Sequence, residues 1–93
     1  MGSLICVENR TETQIHVQAL NSTGFHMSLA PGEKRCCSSE GCRTESTPLI
    51  ILSGYIPIST EGQPGWRSEC RTQAEPGETV IVDGTLDAIR CAP

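Results

Sequence analysis

The sequence predicts an all-β fold: an antiparallel β-sandwich of Ig-like or Greek-key type, with about seven or eight short strands stapled by disulfides. Three observations predict it. Apolar and polar residues alternate over several stretches, the period of a half-buried strand, and no window carries apolar residues at i, i+3, i+4 and i+7. Proline or glycine punctuates the chain at short intervals. Six cysteines accompany only one Phe, one Tyr and one Trp in 93 residues, so a core too thin to hold itself has covalent help at hand.

The strands follow in order. Leu4-Ile5-Cys6-Val7 is an apolar run of strand length, and the polar Asn9-Arg10-Thr11-Glu12-Thr13 then turns the chain. From Gln14 to Leu20, Ile15, Val17 and Ala19 alternate with Gln14, His16 and Gln18. After the turn at Asn21-Ser22-Thr23-Gly24, Phe25, Met27 and Leu29 alternate with His26 and Ser28. These three segments read as an antiparallel meander.

Ala30-Pro31-Gly32-Glu33 has the type II turn signature, with proline presetting φ at the second position and glycine accepting positive φ at the third. The same words recur as Glu75-Pro76-Gly77-Glu78, ahead of the β-branched run Thr79-Val80-Ile81-Val82. Leu49 to Leu52 is continuously apolar and reads as a central strand. Gly54 marks a bulge or bend, and Pro57, which donates no hydrogen bond, places Tyr55–Ile58 at an edge. Ser59–Gly65 is a loop leading to Trp66, and Arg67–Gln73 alternates weakly around Cys70. Asp83-Gly84 is the expected two-residue hairpin turn, returning through Leu86–Cys91. The domain expected is one unit over 4–93, with Met1-Gly2-Ser3 reading as a cloning remnant.

The opening Ile5-Cys6-Val7-Glu8-Asn9-Arg10-Thr11, with the alternating strand and the Leu29-Ala30-Pro31-Gly32-Glu33 turn after it, resembles the first strands of small secreted β-sandwiches. The resemblance covers about thirty residues and rests on turn chemistry, so it implies an architecture and carries no function.

Charge and hydropathy narrow the function classes. The net charge is −4, and the only basic run is Lys34-Arg35, so the electropositive footprint of a nucleic-acid binder is missing. The longest apolar run, Leu49–Leu52, is far below the length of a membrane span. No secretory leader is seen at the start, as in a mature or trimmed chain.

Cys6, Cys36, Cys37, Cys42, Cys70 and Cys91 form an even set in a short chain, the composition of a disulfide framework in a secreted or periplasmic protein. Cys36 and Cys37 are neighbours on a strand, so their side chains point to opposite faces and take different partners. Cys37 and Cys42, separated by Ser38-Ser39-Glu40-Gly41, are the favoured local pair, leaving Cys36 to reach Cys6, Cys70 or Cys91. The alternative is a copper or zinc site in which Cys36, Cys37 and Cys42 join His26 and Met27. Against it stand the lack of a C-x-x-C pair and the divergence of Cys36 from Cys37.

Other constellations have plainer readings. His16 and His26 are expected on the polar faces of their strands, neighbours across a hairpin. A hydrolase would need one of them beside a serine and a carboxylate, and no nucleophile-elbow motif supports one. Asp83–Asp87 lacks the ligand pattern of a calcium loop. Asn9-Arg10-Thr11 and Asn21-Ser22-Thr23 match the N-glycosylation sequon.

The function expected is non-enzymatic, with no cofactor: a small binding module that meets another protein or a cell-surface component through loops at one end. The residues expected to carry it are Ser38, Ser39, Glu40 and Gly41 in the clamped loop, with Gln63, Trp66 and Arg67 beside them.

Overall fold

The computed structural model describes residues 4–21, 25–37, 40–58 and 62–93. Along the chain run β1 (Cys6–Asn9), β2 (Ile15–Ala19), β3 (His26–Leu29), β4 (Lys34–Cys36), α1 (Gly41–Thr44), β5 (Thr47–Ile56), β6 (Gly65–Ala74), β7 (Thr79–Thr85) and β8 (Ala88–Ala92). They form two four-stranded sheets, β4-β1-β7-β8 and β3-β2-β5-β6. The chain is therefore nearly all β, as the alternation predicts.

The alternating residues fill one shared core. Ile5, Val7, Val80, Val82 and Ile89 come from the first sheet's side, and Ile15, Val17, Leu29, Leu49, Ile51 and Ala74 from the second. Phe25, Cys37 and Cys42 complete the cluster. Each large aliphatic side chain withdrawn from water here contributes about 1.5–3 kcal/mol against the chain's conformational entropy.

The expected three-strand meander is not formed. β2 and β3 make a hairpin, with Ile15 opposite Leu29 and Gln18 opposite His26. β1 instead lies in the other sheet, antiparallel to β4 and parallel to β7. The cause is local: the turn after β1 changes sheets. Asn9 is wholly buried, and its Nδ2 donates to the carbonyls of Thr13, Leu29 and Ala30. Its Oδ1 accepts from the backbone N–H and the hydroxyl of Thr11. The sheet pairing is thus antiparallel except for β1 with β7.

Both Pro-Gly-Glu turns form, with Gly32 at φ 80° and Gly77 at φ 93°. In each the glutamate N–H closes the turn onto the residue three before it, Ala30 or Glu75, at 3.0 Å. In each the glutamate carboxylate also accepts the backbone N–H of that same residue. The turn glycines donate to opposite ends of β1, Gly32 N–H to the Asn9 carbonyl and Gly77 N–H to the Leu4 carbonyl. One motif used twice thus delivers β4 and β7 to the two flanks of β1.

Two further expectations are corrected, at the β7–β8 reversal and at α1, and two are refined. The β7–β8 reversal falls at Leu86-Asp87, with Thr85 opposite Ala88, while Asp83 and Gly84 remain in β7. That register sets Cys91 opposite Val82, on the core side of the first sheet. Leu49–Leu52 is central as expected, in β5 between β2 and β6, with Leu49 and Ile51 buried and Ile50 and Leu52 half-buried. Beyond Ser53, β5 loses β2 as a neighbour and pairs with β6 alone, the edge position expected of this stretch, and it ends at Ile56 before Pro57. A single turn of helix, α1, sits where a polar loop was expected.

The described cysteines are all paired: Cys6 with Cys36, Cys37 with Cys42, Cys70 with Cys91. Cys6 and Cys36 face each other across β1 and β4. Cys36 is exposed and Cys37 buried, the opposite-face arrangement of strand neighbours. The Cys70–Cys91 bond joins β6 to β8 and so links the two sheets.

Candidate binding surface

The outer face of the second sheet gathers the chemistry-bearing side chains. In β2, Ile15 and Val17 are buried, so His16 between them faces away from the core. In β3, His26 and Ser28 are exposed for the same reason, while Met27 packs against the core. The register sets His16 opposite Ser28, with His26 on the diagonal. His16 Nε2 lies 3.0 Å from His26 Nε2, and His16 Nδ1 lies 3.2 Å from Ser28 Oγ. The two imidazole rings meet edge to face, with centroids 4.6 Å apart.

Trp66 reaches this group from β6. Its ring stacks on His16 with centroids 5.7 Å apart and planes 16° apart, and Tyr55 meets its edge at 5.1 Å. Strict alternation along β5 would give Tyr55 the inward direction of Leu49, Ile51 and Ser53. Gly54 breaks the alternation with φ 69°, a conformation that only glycine adopts without strain. A Cβ at Gly54 would meet the Cβ, Cγ and Cδ of Arg67 at 2.8 Å. Arg67 thus crosses the bare backbone of Gly54, and its Nε donates to Asp87 Oδ1 at 2.6 Å. The bend turns Tyr55 and Trp66 toward His16 and Arg67 toward the β7–β8 turn.

A cavity of about 250 Å³ opens between these groups, lined by Thr13, Gln14, His16, Ser28, Gly54, Tyr55 and Trp66. Partial burial and the neighbouring His26 hold the His16 imidazole below its ordinary pKa. His16 in this environment favours its neutral form. No third His, Cys, Asp or Glu joins the two histidines among the described residues. The serine beside His16 therefore has a second histidine where a hydrolytic triad would have a carboxylate.

The remaining sequence-predicted site residues fall elsewhere. Ser38 and Ser39 lie outside the described residues. Glu40 precedes and Gly41 begins α1, which leads into the Thr47 end of β5. Trp66 pairs with Tyr55 at the other end of the same strand, eight residues on and roughly 25 Å away at the usual strand rise. Glu40 and Gly41 therefore lie toward the opposite end of β5 from the tryptophan. Gln63 is exposed ahead of β6. Cys36, Cys37 and Cys42 are held in disulfides, and His26 belongs to the other sheet from β4, so the five residues of the cysteine-based metal site are not brought together. Asp83 pairs with Arg90 and Asp87 with Arg67, which separates the two carboxylates of the calcium-like segment. The Asn9 sequon contributes a structural side chain: a glycan on Nδ2 would displace its bonds to three carbonyls.

Tyr55 and Ser28 were not among the expected site residues. The one available signal was Gly54 inside a strand, next to the only tyrosine and opposite a stretch that begins with the only tryptophan. Compared with protein-family models, curated proteins and solved structures, the chain matches none.

Proposed function

We propose that this chain is a secreted or periplasmic β-sandwich, stapled by its disulfides, that works as a non-enzymatic binding module. Its binding surface is the Tyr55–Trp66–His16 platform, and its partner is another protein or a cell-surface component. One observation carries the reading. A chain with three aromatic residues buries only Phe25 and leaves Tyr55 57% and Trp66 38% exposed, packed edge to face beside a cavity. Trp and Tyr at such positions offer large contact area with few rotatable bonds and are the residue types that dominate interface energetics. The pairing of every described cysteine in so small a domain supports the oxidising compartment.

The test is a binding screen against extracellular proteins and immobilised glycans with the wild type and the Tyr55→Ala/Trp66→Ala variant. Both side chains are exposed, so the variant should keep its circular dichroism and melting temperature. The expected result is a wild-type hit that weakens at least about tenfold in the variant, the effect of losing an aromatic anchor worth upwards of ~1.4 kcal/mol. A hit of unchanged affinity would move the binding surface elsewhere, and the absence of any hit would remove the reading.

A further inference from the structure

We infer that His16 and His26 form a chelating site for a divalent transition-metal ion, copper(II) foremost, on the outer face of the β3-β2-β5-β6 sheet. The site is distinct from the cysteine cluster and shares His16 with the proposed binding platform.

The donor atoms are already at chelating distance. Metal–imidazole bonds of about 2.0–2.1 Å place two nitrogens about 2.9 Å apart in cis positions of a square-planar or octahedral ion, and about 3.3 Å apart in a tetrahedral one. The observed Nε2–Nε2 distance is 3.0 Å, on the side of the square-planar geometry that copper(II) and nickel(II) prefer. Copper(II) also heads the divalent affinity order for nitrogen ligands.

The surroundings select the right tautomer. When His16 Nδ1–H donates to Ser28 Oγ at 3.2 Å, the Nε2 lone pair of His16 points toward His26. This is the outer-shell arrangement that orients metal-ligating histidines. Without metal, His26 Nε2–H donates to that lone pair. When the ion enters, His26 carries its single proton on Nδ1 instead, and both rings, half-buried His16 and exposed His26, rotate off their shared N···N line to aim both Nε2 lone pairs at one point. Starting from one proton on each ring, the exchange leaves one proton on each, so none is gained or lost. Trp66, stacked on His16, limits the freedom of that ring before the ion arrives. With only two protein ligands among the described residues, the other coordination positions belong to water.

The experiment titrates the full chain with copper(II) sulfate in a non-coordinating buffer. It follows Trp66 fluorescence, calorimetry and electron paramagnetic resonance. Because Trp66 is the only tryptophan and rests on His16, a bound copper(II) ion should quench it saturably at one ion per chain, with hyperfine structure from two nitrogens. His16→Gln and His26→Gln should each weaken binding about 100-fold, the loss of the chelate's second contact. Ser28→Ala should weaken it about 10-fold by releasing the His16 tautomer. A wild-type readout stands beside the variants: zinc(II), bound more weakly, should shift the imidazole nitrogen resonances of both histidines together. No saturable quenching, an affinity unmoved by either histidine variant, or a zinc shift confined to one ring would each overturn the site. The titration needs no macromolecule, so its result is separate from that of the binding screen.

Discussion

Asn9 is a residue whose sequence context misleads. It stands in a polar, turn-forming stretch and in a glycosylation motif, yet it is fully buried with both ends of its amide bonded. It joins the end of β1 to the start of β2 and to the turn after β3, and so holds three segments that hydrophobic contacts alone would leave free to slide. Leaving a buried carbonyl or N–H without a partner costs about 1–3 kcal/mol, and Asn9 serves several. Asn9→Ala should therefore lower the unfolding free energy by at least about 3 kcal/mol, read as a shift of the urea midpoint. The preference of asparagine for turns was legible in the sequence. Its burial was not, because that depends on Leu29 and Ala30 arriving from twenty residues away.

At the scale of elements, local periodicity served well and long-range pairing did not. The alternation around Ile15, Val17, Met27 and Leu29 located β2 and β3, and the two Pro-Gly-Glu turns located the entries to β4 and β7. What the sequence hid was the partner of each strand, since a β-branched run looks the same whichever neighbour it meets. The histidine pair was legible because β2 and β3 form a short hairpin. Its stack with Trp66 was not, because a glycine inside β5 redirects the side chains after it. Asp83-Gly84 has the chemistry of a hairpin turn, but Gly84 serves a different need. At φ 98° it lets the Ala88 carbonyl oxygen pass where a Cβ would stand. Gly32 also has positive φ, with open space around it. Gly32→Ala should cost about 1–2 kcal/mol, the backbone term alone. Gly84→Ala should cost clearly more, because the clash adds to it. Thermal melts of the two variants side by side separate the contributions.

For the molecule as a whole, the disulfides divide the labour. Cys37–Cys42 closes a short loop, Cys6–Cys36 ties two strands of one sheet, and Cys70–Cys91 ties one sheet to the other. In the chain-entropy account, the 21-residue separation of Cys70 and Cys91 corresponds to about 3 kcal/mol. Cys70→Ala/Cys91→Ala should lose roughly that amount in chemical denaturation. The loss should be accompanied by faster amide exchange in β8, an outer strand of its sheet. The even cysteine count made the framework legible and spacing gave the Cys37–Cys42 pair, whereas the partners of Cys6, Cys36, Cys70 and Cys91 required the strand register.

The place of β1 between β4 and β7 also sets a timetable. During synthesis β1 emerges before β2 to β8, yet its parallel ladder to β7 closes only when Thr79–Val82 has followed. Folds dominated by such distant pairings assemble slowly, and an unmatched strand edge is a template for association in the meantime. Cys36 emerges far earlier than β7, so the bond to Cys6 can hold β4 along one edge of β1 while the other edge waits. In an oxidising compartment, the order in which the sulfurs are oxidised would thus become part of how the newborn chain avoids its neighbours.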